Sequence, residues 1–142
     1  AGLAPLAIDR LPADIGHRIV NEHLLNPKSF WLRYPVPSTA ATELSFVPGS
    51  NRYLWIERYW RGPTWLFSTW FILRGLQRLG YAAESRHLAD RTIALIRQSG
   101  FREYFNPMTG EGMGARNFAV STIAVECAAI AERVPDIRQS VA

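Results

Sequence analysis

The sequence predicts an all-α protein whose helices lie in two layers, as in an α/α barrel or toroid. Three observations carry this. Four stretches have helical periodicity. Their character alternates along the chain (amphipathic, apolar, amphipathic, apolar), which suits an outer layer wrapped on an inner one. A simple bundle would make all four similarly two-faced. Between the first and second helix lies one long non-helical segment crowded with aromatic residues.

The first helix is expected from about Pro12 to Leu25. Proline suits a first helical position, Ile15, Ile19 and Val20 share a face, and Asn26-Pro27 stops it. The second runs from Pro63 to Leu79 and ends on Gly80. It is apolar nearly all round through Trp65, Leu66, Phe67, Trp70, Phe71, Ile72 and Leu73, the pattern of a helix buried on most sides. The third, about Ala82 to Gln98, stripes Leu88, Thr92, Leu95 and Ile96 along one face and closes at Gly100. The fourth, about Ala115 to Val134, is mostly apolar until Pro135.

The segment from Asn26 to Gly62 holds Pro27, Pro35, Pro37, Pro48 and Gly49, with a short extended run at Tyr53-Leu54-Trp55-Ile56. Structureless loops beyond about 15 residues are uncommon and often functional. Phe30, Trp31, Tyr34, Phe46, Tyr53, Trp55, Tyr59 and Trp60 in this one either plug the core or stack on sugars, since the C–H faces of pyranose rings pack on aromatic planes.

With 142 residues, the chain is long enough for a single core. It opens on Ala-Gly-Leu without Met or a basic leader, which fits a trimmed start or a start inside a longer reading frame. No apolar run reaches the roughly 20 residues that span a bilayer, so no membrane partner is expected. The net charge of +4 is almost all arginine, Lys28 being the only lysine. The arginines are scattered, so no nucleic-acid face is expected. Cys127 stands alone in an apolar run and reads as a small buried hydrophobe. A single cysteine allows a reducing compartment such as the cytoplasm without fixing one.

Metal and nucleophile chemistry find no support. His17, His23 and His87 lack ligand spacing, there is no CxxC or HExxH, and no G-x-S-x-G is present. No cofactor is expected. Two stretches do stand out. Tyr59-Trp60-Arg61-Gly62-Pro63-Thr64-Trp65 sets an arginine among tryptophans, and Gly100 to Gly114 sets Glu103 and Glu111 among aromatics and glycines. Glu103 reads either as a surface charge paired with Arg102 or Arg97, or as one of the two carboxyl groups that glycoside hydrolysis needs on either side of the scissile bond. Partial desolvation in an aromatic loop suits the second role.

These stretches resemble the inverting α-glycosidases of the processing α-glucosidase I and mannosylglycerate hydrolase family, with trehalases as more distant relatives. The resemblance rests on Phe30-Trp31 through Tyr34-Pro35-Val36-Pro37-Ser38, on Tyr59-Trp60-Arg61-Gly62-Pro63-Thr64-Trp65, on Gly75-Leu76 with Leu79-Gly80, and on Glu103-Tyr104-Phe105-Asn106-Pro107 with Thr109-Gly110. It implies that residues 1–142 are a single partial domain, the C-terminal portion of an (α/α)₆ barrel that hydrolyses α-linked sugars with inversion. Glu103 would be the general base, with Glu111 as runner-up. Tyr59, Trp60, Arg61, Gly62, Trp65, Tyr104 and Trp31 would line the sugar site. The two carboxyl groups of an inverting pair stand about 6.5–9.5 Å apart. The family's acid is an aspartate upstream of these segments, and neither Asp9 nor Asp14 has its surroundings. The implied partners are therefore an α-linked saccharide and either the remainder of the barrel or a second copy of the chain. Phe67-Ser68-Thr69 and Phe118-Ala119-Val120-Ser121-Thr122 depart from the family's pattern. The alternative is a non-catalytic helical module for carbohydrate binding or assembly, derived from such a barrel.

Overall fold

The computed structural model describes residues 2–49, 52–53, 56–57 and 60–132, and within them the chain is mostly helical. A short 3₁₀ turn at Ala4–Ala7 leads into α1 (Ala13–Arg18), whose last turns widen into a π-helical stretch over Ile19–Leu24. Asn26 then ends the helix. Its carbonyl accepts from the amides of Ser29, Phe30 and Trp31, and its side chain accepts from Lys28 N at 2.9 Å.

Helix α2 spans Leu66–Arg78 and not Pro63 onward. The reason is tertiary: Thr64 is drawn into β bridges with Pro37 and Phe105, so Trp65 stays extended and the helix starts only at Leu66. Helix α3 covers Ala82–Ser99 and buries Ser85, Leu88, Ala89, Thr92 and Leu95 on one stripe. The buried Thr92 hydroxyl is satisfied by donating to Leu88 O at 2.8 Å. Gly80 (φ 82°) and Gly100 (φ 71°) end the two helices in conformations that side chains with a Cβ rarely adopt.

The expected fourth helix is shorter. Residues from Ala115 do not open it, because Gly112–Arg116 form strand β4, antiparallel to β3 (Arg102–Phe105), and Ala119–Thr122 turn in 3₁₀ fashion before α4 at Ile123–Glu132. (β1 is Arg52–Tyr53 and β2 Ile56–Glu57.) Of the extended run expected at 53–56, Tyr53 and Ile56 face each other across antiparallel β1 and β2. Residues 54–55 and 133–134 lie outside those described.

The main core gathers Leu6, Val20, Leu24, Leu73, Leu76, Leu88, Cys127 and Ile130 where α2 meets the Ala4–Ala7 turn, α3 and α4, with Val20 and Leu24 coming from the π-helical stretch. Each such leucine contributes on the order of 1.5–3 kcal/mol by leaving water. Tyr34, Leu66, Leu95, Phe105 and Ala124 form a second cluster beneath the β3–β4 hairpin. The near-uniform apolarity of α2 is not all buried: Phe71 is 45% exposed, and on α4 Val125 is 67% exposed. Among the described residues no helix is long and apolar enough to cross a membrane.

Candidate active site

Three segments far apart in sequence meet at Thr64. Its amide donates to Phe105 O at 2.8 Å and its carbonyl accepts from Phe105 N at 3.0 Å. Its hydroxyl donates to Tyr34 O at 3.0 Å, while Ser38 N donates to Pro63 O at 3.0 Å and Tyr34 N to Pro107 O at 2.9 Å. Thr64 is fully buried, and every polar atom thus has a partner, as burial requires. This strip joins the Tyr34–Ser38 loop, the Trp60–Trp65 segment and strand β3.

Gly62 sits beside it. Its amide donates to Ser38 Oγ at 3.0 Å, and a Cβ there would collide with the carbonyl of Val47, so only glycine fits this crossing. Gly62 therefore shapes the backbone under Arg61, whose own carbonyl accepts from Val47 N at 2.6 Å and whose side chain is exposed.

From this strip rises an aromatic stack. Trp60 lies parallel to Trp65, with ring centroids 4.2 Å apart at 3°. Trp65 stacks in turn on Tyr104 at 5.1 Å, and Phe67 meets both tryptophans edge-on at 5.8 and 5.9 Å. Trp65 and Tyr104 are buried with Met113; Trp60 is 51% exposed and caps the stack. Beside Trp60 opens an apolar hollow of about 410 Å³, lined also by Phe30, Val36, Pro37, Phe67 and Phe71.

Glu103 directly precedes Tyr104 on β3 and is half-buried. Opposite it the ladder is irregular: Arg102 pairs with Arg116 and Tyr104 with Met113, so Glu103 faces two residues, Gly114 and Ala115. Gly114 has φ 68°, which makes this a glycine-dependent β-bulge. Ala115 N donates to Glu103 Oε2 at 3.0 Å. Among the described residues Glu103 makes no ion pair with Arg97 or Arg102. Glu111 is exposed at the far end of the hairpin. Its amide donates to Thr109 Oγ1 at 3.2 Å and its carbonyl accepts from Asn106 N at 2.9 Å.

Thus Trp60, Trp65, Tyr104, Gly62 and Glu103 belong to one neighbourhood, with Arg61 on its exposed edge. Trp31 lies apart: it packs against the main core and stacks on His87 of α3 at 5.4 Å. Burial, aided by Arg91, holds the His87 imidazole below its ordinary value. Tyr59 lies outside the described residues. Asp9 faces another hollow, where it meets Arg78 at 3.5 Å, and Asp14 is exposed in the first turn of α1. Among the described residues no three His, Cys, Asp or Glu side chains gather as metal ligands would. Burial pushes the Cys127 thiol up to about 12. Ala115 had no signal as a site residue in the sequence, because its contact with Glu103 depends on the β3–β4 pairing.

Residues 1–121 match the model of the mannosylglycerate hydrolase MGH1-like glycoside hydrolase domain, and the chain belongs to that family. It is 39% identical over 89 residues to a mannosylglycerate hydrolase of Thermus thermophilus, covering 63% of this chain and 20% of that protein. It is 31% identical over 130 residues to a glucosylglycerate hydrolase of Mycolicibacterium hassiacum, covering 88% and 27%. Its fold superposes with a TM-score of 0.71 and 32% identity on the crystal structure of a GH63 mannosylglycerate hydrolase from Thermus thermophilus in complex with glucose, over 87% of this chain and 28% of that one. Its structural neighbours are (α/α)₆-barrel proteins, and the chain is part of such a barrel. It spans between 20% and 28% of the length of these relatives.

Proposed function

We propose that this chain carries the general-base half of an inverting α-glycosidase acting on a hexose α-linked to a small polar aglycone, of the mannosylglycerate or glucosylglycerate kind. The observation that carries this reading is Glu103, its carboxylate held by Ala115 N next to the Trp60–Trp65–Tyr104 stack. In the reaction a water oxygen attacks the anomeric carbon while Glu103 takes its proton. The glycosidic C–O bond breaks on the opposite face as an acid protonates the leaving oxygen. Trp60 supplies an apolar plane for the sugar, and Arg61 a charged donor at its edge. Glu111 is the poorer candidate because it stands exposed at the hairpin's end, away from the stack.

Neither Asp9, engaged with Arg78, nor Asp14 serves as the acid in this arrangement. The acid comes from the remainder of the barrel or from a second copy of the chain. The exposed Phe71 and Val125 support this, since apolar side chains exposed on α2 and α4 call for neighbours. Left uncovered, they are expected to drive self-association.

A sugar-binding but non-catalytic module is the second reading. It draws on the half-exposed Trp60 above its apolar hollow, which needs no acid to hold a pyranose ring.

The test is turnover of mannosylglycerate and glucosylglycerate by the chain alone, and by the chain co-produced with the part of the Thermus enzyme that it does not match. Turnover abolished by Glu103→Gln and retained by Glu111→Gln is the expected result. The reverse pattern would move the base to Glu111. Binding without turnover in both preparations would leave the module reading.

A further inference from the structure

The peptide unit joining Gly114 to Ala115 is gripped from both ends. Its carbonyl oxygen accepts from a guanidinium nitrogen of Arg102 at 3.1 Å, and its N–H donates to Glu103 Oε2 at 3.0 Å. We propose that this Arg102–peptide–Glu103 relay is the positioning device of the catalytic carboxylate, with Arg102 and Gly114 as positioning residues. The inference rests on Glu103 being the base.

The geometry explains why a bulge is needed. In a regular antiparallel ladder each inward N–H pairs with the facing strand's carbonyl and is unavailable to a side chain. An extra residue on one strand leaves a backbone group unpaired and re-aims its neighbours. Here the extra residue turns the Ala115 amide onto the Glu103 carboxylate. The hydrogen bond fixes Oε2 and so sets the direction of the other oxygen, the one left to take a proton from water.

Arg102 strengthens the device. A cation on the carbonyl end of a peptide polarises it and makes its N–H a better donor. Arg102 is itself anchored: its backbone carbonyl accepts from Ser121 Oγ, and its stem packs on Gly112. Gly114 is irreplaceable in two respects. Its φ of 68° suits glycine, and a Cβ there would stand 2.5 Å from Glu103 Oε2 and 2.6 Å from Tyr104 Cε1. A side chain at 114 therefore displaces the carboxylate directly.

Two measurements test this. The first uses the 142-residue chain and no substrate: the Ala115 amide proton is followed by NMR as Glu103 is titrated. The expected result is an Ala115 shift that tracks the titration, disappears in Glu103→Gln and weakens in Arg102→Met. An Ala115 amide indifferent to Glu103 would overturn the proposal. The second uses the active assembly described above. Arg102→Met and Gly114→Ala should lower kcat by about tenfold or more with KM little changed, since a misplaced base costs the chemical step. Arg102→Lys should restore part of it. If Glu103→Gln abolishes turnover while Arg102→Met retains full kcat, the relay is wrong and the base assignment stands. If Glu103→Gln retains turnover, the base assignment itself is wrong.

Discussion

Thr64 and Phe105 exchange both of their backbone hydrogen bonds, at 2.8 and 3.0 Å, and this one pair ties the tryptophan segment to the strand that carries Glu103. Everything aromatic at the site is hung from it: Trp65 follows Thr64 in the chain, Tyr104 precedes Phe105, and the two rings stack at 5.1 Å. The spacing between the carboxylate and its aromatic floor is therefore fixed by main-chain pairing, which tolerates little slack.

Thr64→Val removes the hydroxyl that satisfies Tyr34 O while keeping the β-branched shape. Leaving a buried carbonyl short of its donor is expected to lower stability by about 1–2 kcal/mol, read from urea unfolding of the chain. A change inside the error of the curve would mean that the carbonyl finds another donor.

Trp60→Ala is expected to lower stability by about 0.5–1.5 kcal/mol, because the half-exposed ring loses its stack on Trp65, and to weaken sugar binding by about tenfold, or ~1.4 kcal/mol. Calorimetry on both proteins checks it. Unaltered binding with lost stability would make the stack a core element alone.

His87 gives the chain a pH dependence of known sign. Its folded value lies below the ordinary 6.5, chiefly through burial beside Trp31, so the unfolded chain binds the proton first as pH falls. The stability it contributes is complete above about pH 6.5 and is lost as pH falls through the folded value. His87→Phe, which keeps a ring against Trp31 and carries no proton, should flatten the fall in Tm between about pH 7.5 and 5. An unchanged slope would assign the acid sensitivity to other groups.

Cys127 acts at the other end of the scale. Its thiol is raised from 9.0 to about 12 by burial first and by Glu126 second. The unfolded chain therefore loses this proton first as pH rises, and stability falls from about pH 9 upward. Cys127→Ala should remove that component of the alkaline slope. In the native chain the thiol should resist iodoacetamide at about pH 8 and react once urea is added. Rapid alkylation of the folded chain would contradict its place in the core.

How legible all this was depends on range. Helix α3 was readable almost to the residue, since Gly100 and the stripe of Leu88, Thr92 and Leu95 are local signals. The aromatic and acidic residues of the site stood out as types, and the order of their motifs indicated the family. What the sequence hid was every feature set by distant pairing. Pro63–Trp65 look like the first turn of an apolar helix until Phe105 claims Thr64. Residues from Ala115 look helical until the Gly114 bulge commits them to β3. Trp31 and Trp60 are equally aromatic, and only the fold sends one to His87 and the other to the stack.

The most direct test of the central claim is the configuration of the first sugar released. The chain is assayed with the rest of a barrel supplied, and the anomeric proton is followed by NMR before mutarotation. A single-displacement reaction with Glu103 as base predicts that an α-linked substrate yields the β-anomer first, and that Glu103→Gln yields neither. First release of the α-anomer, or undiminished turnover by Glu103→Gln, would contradict it.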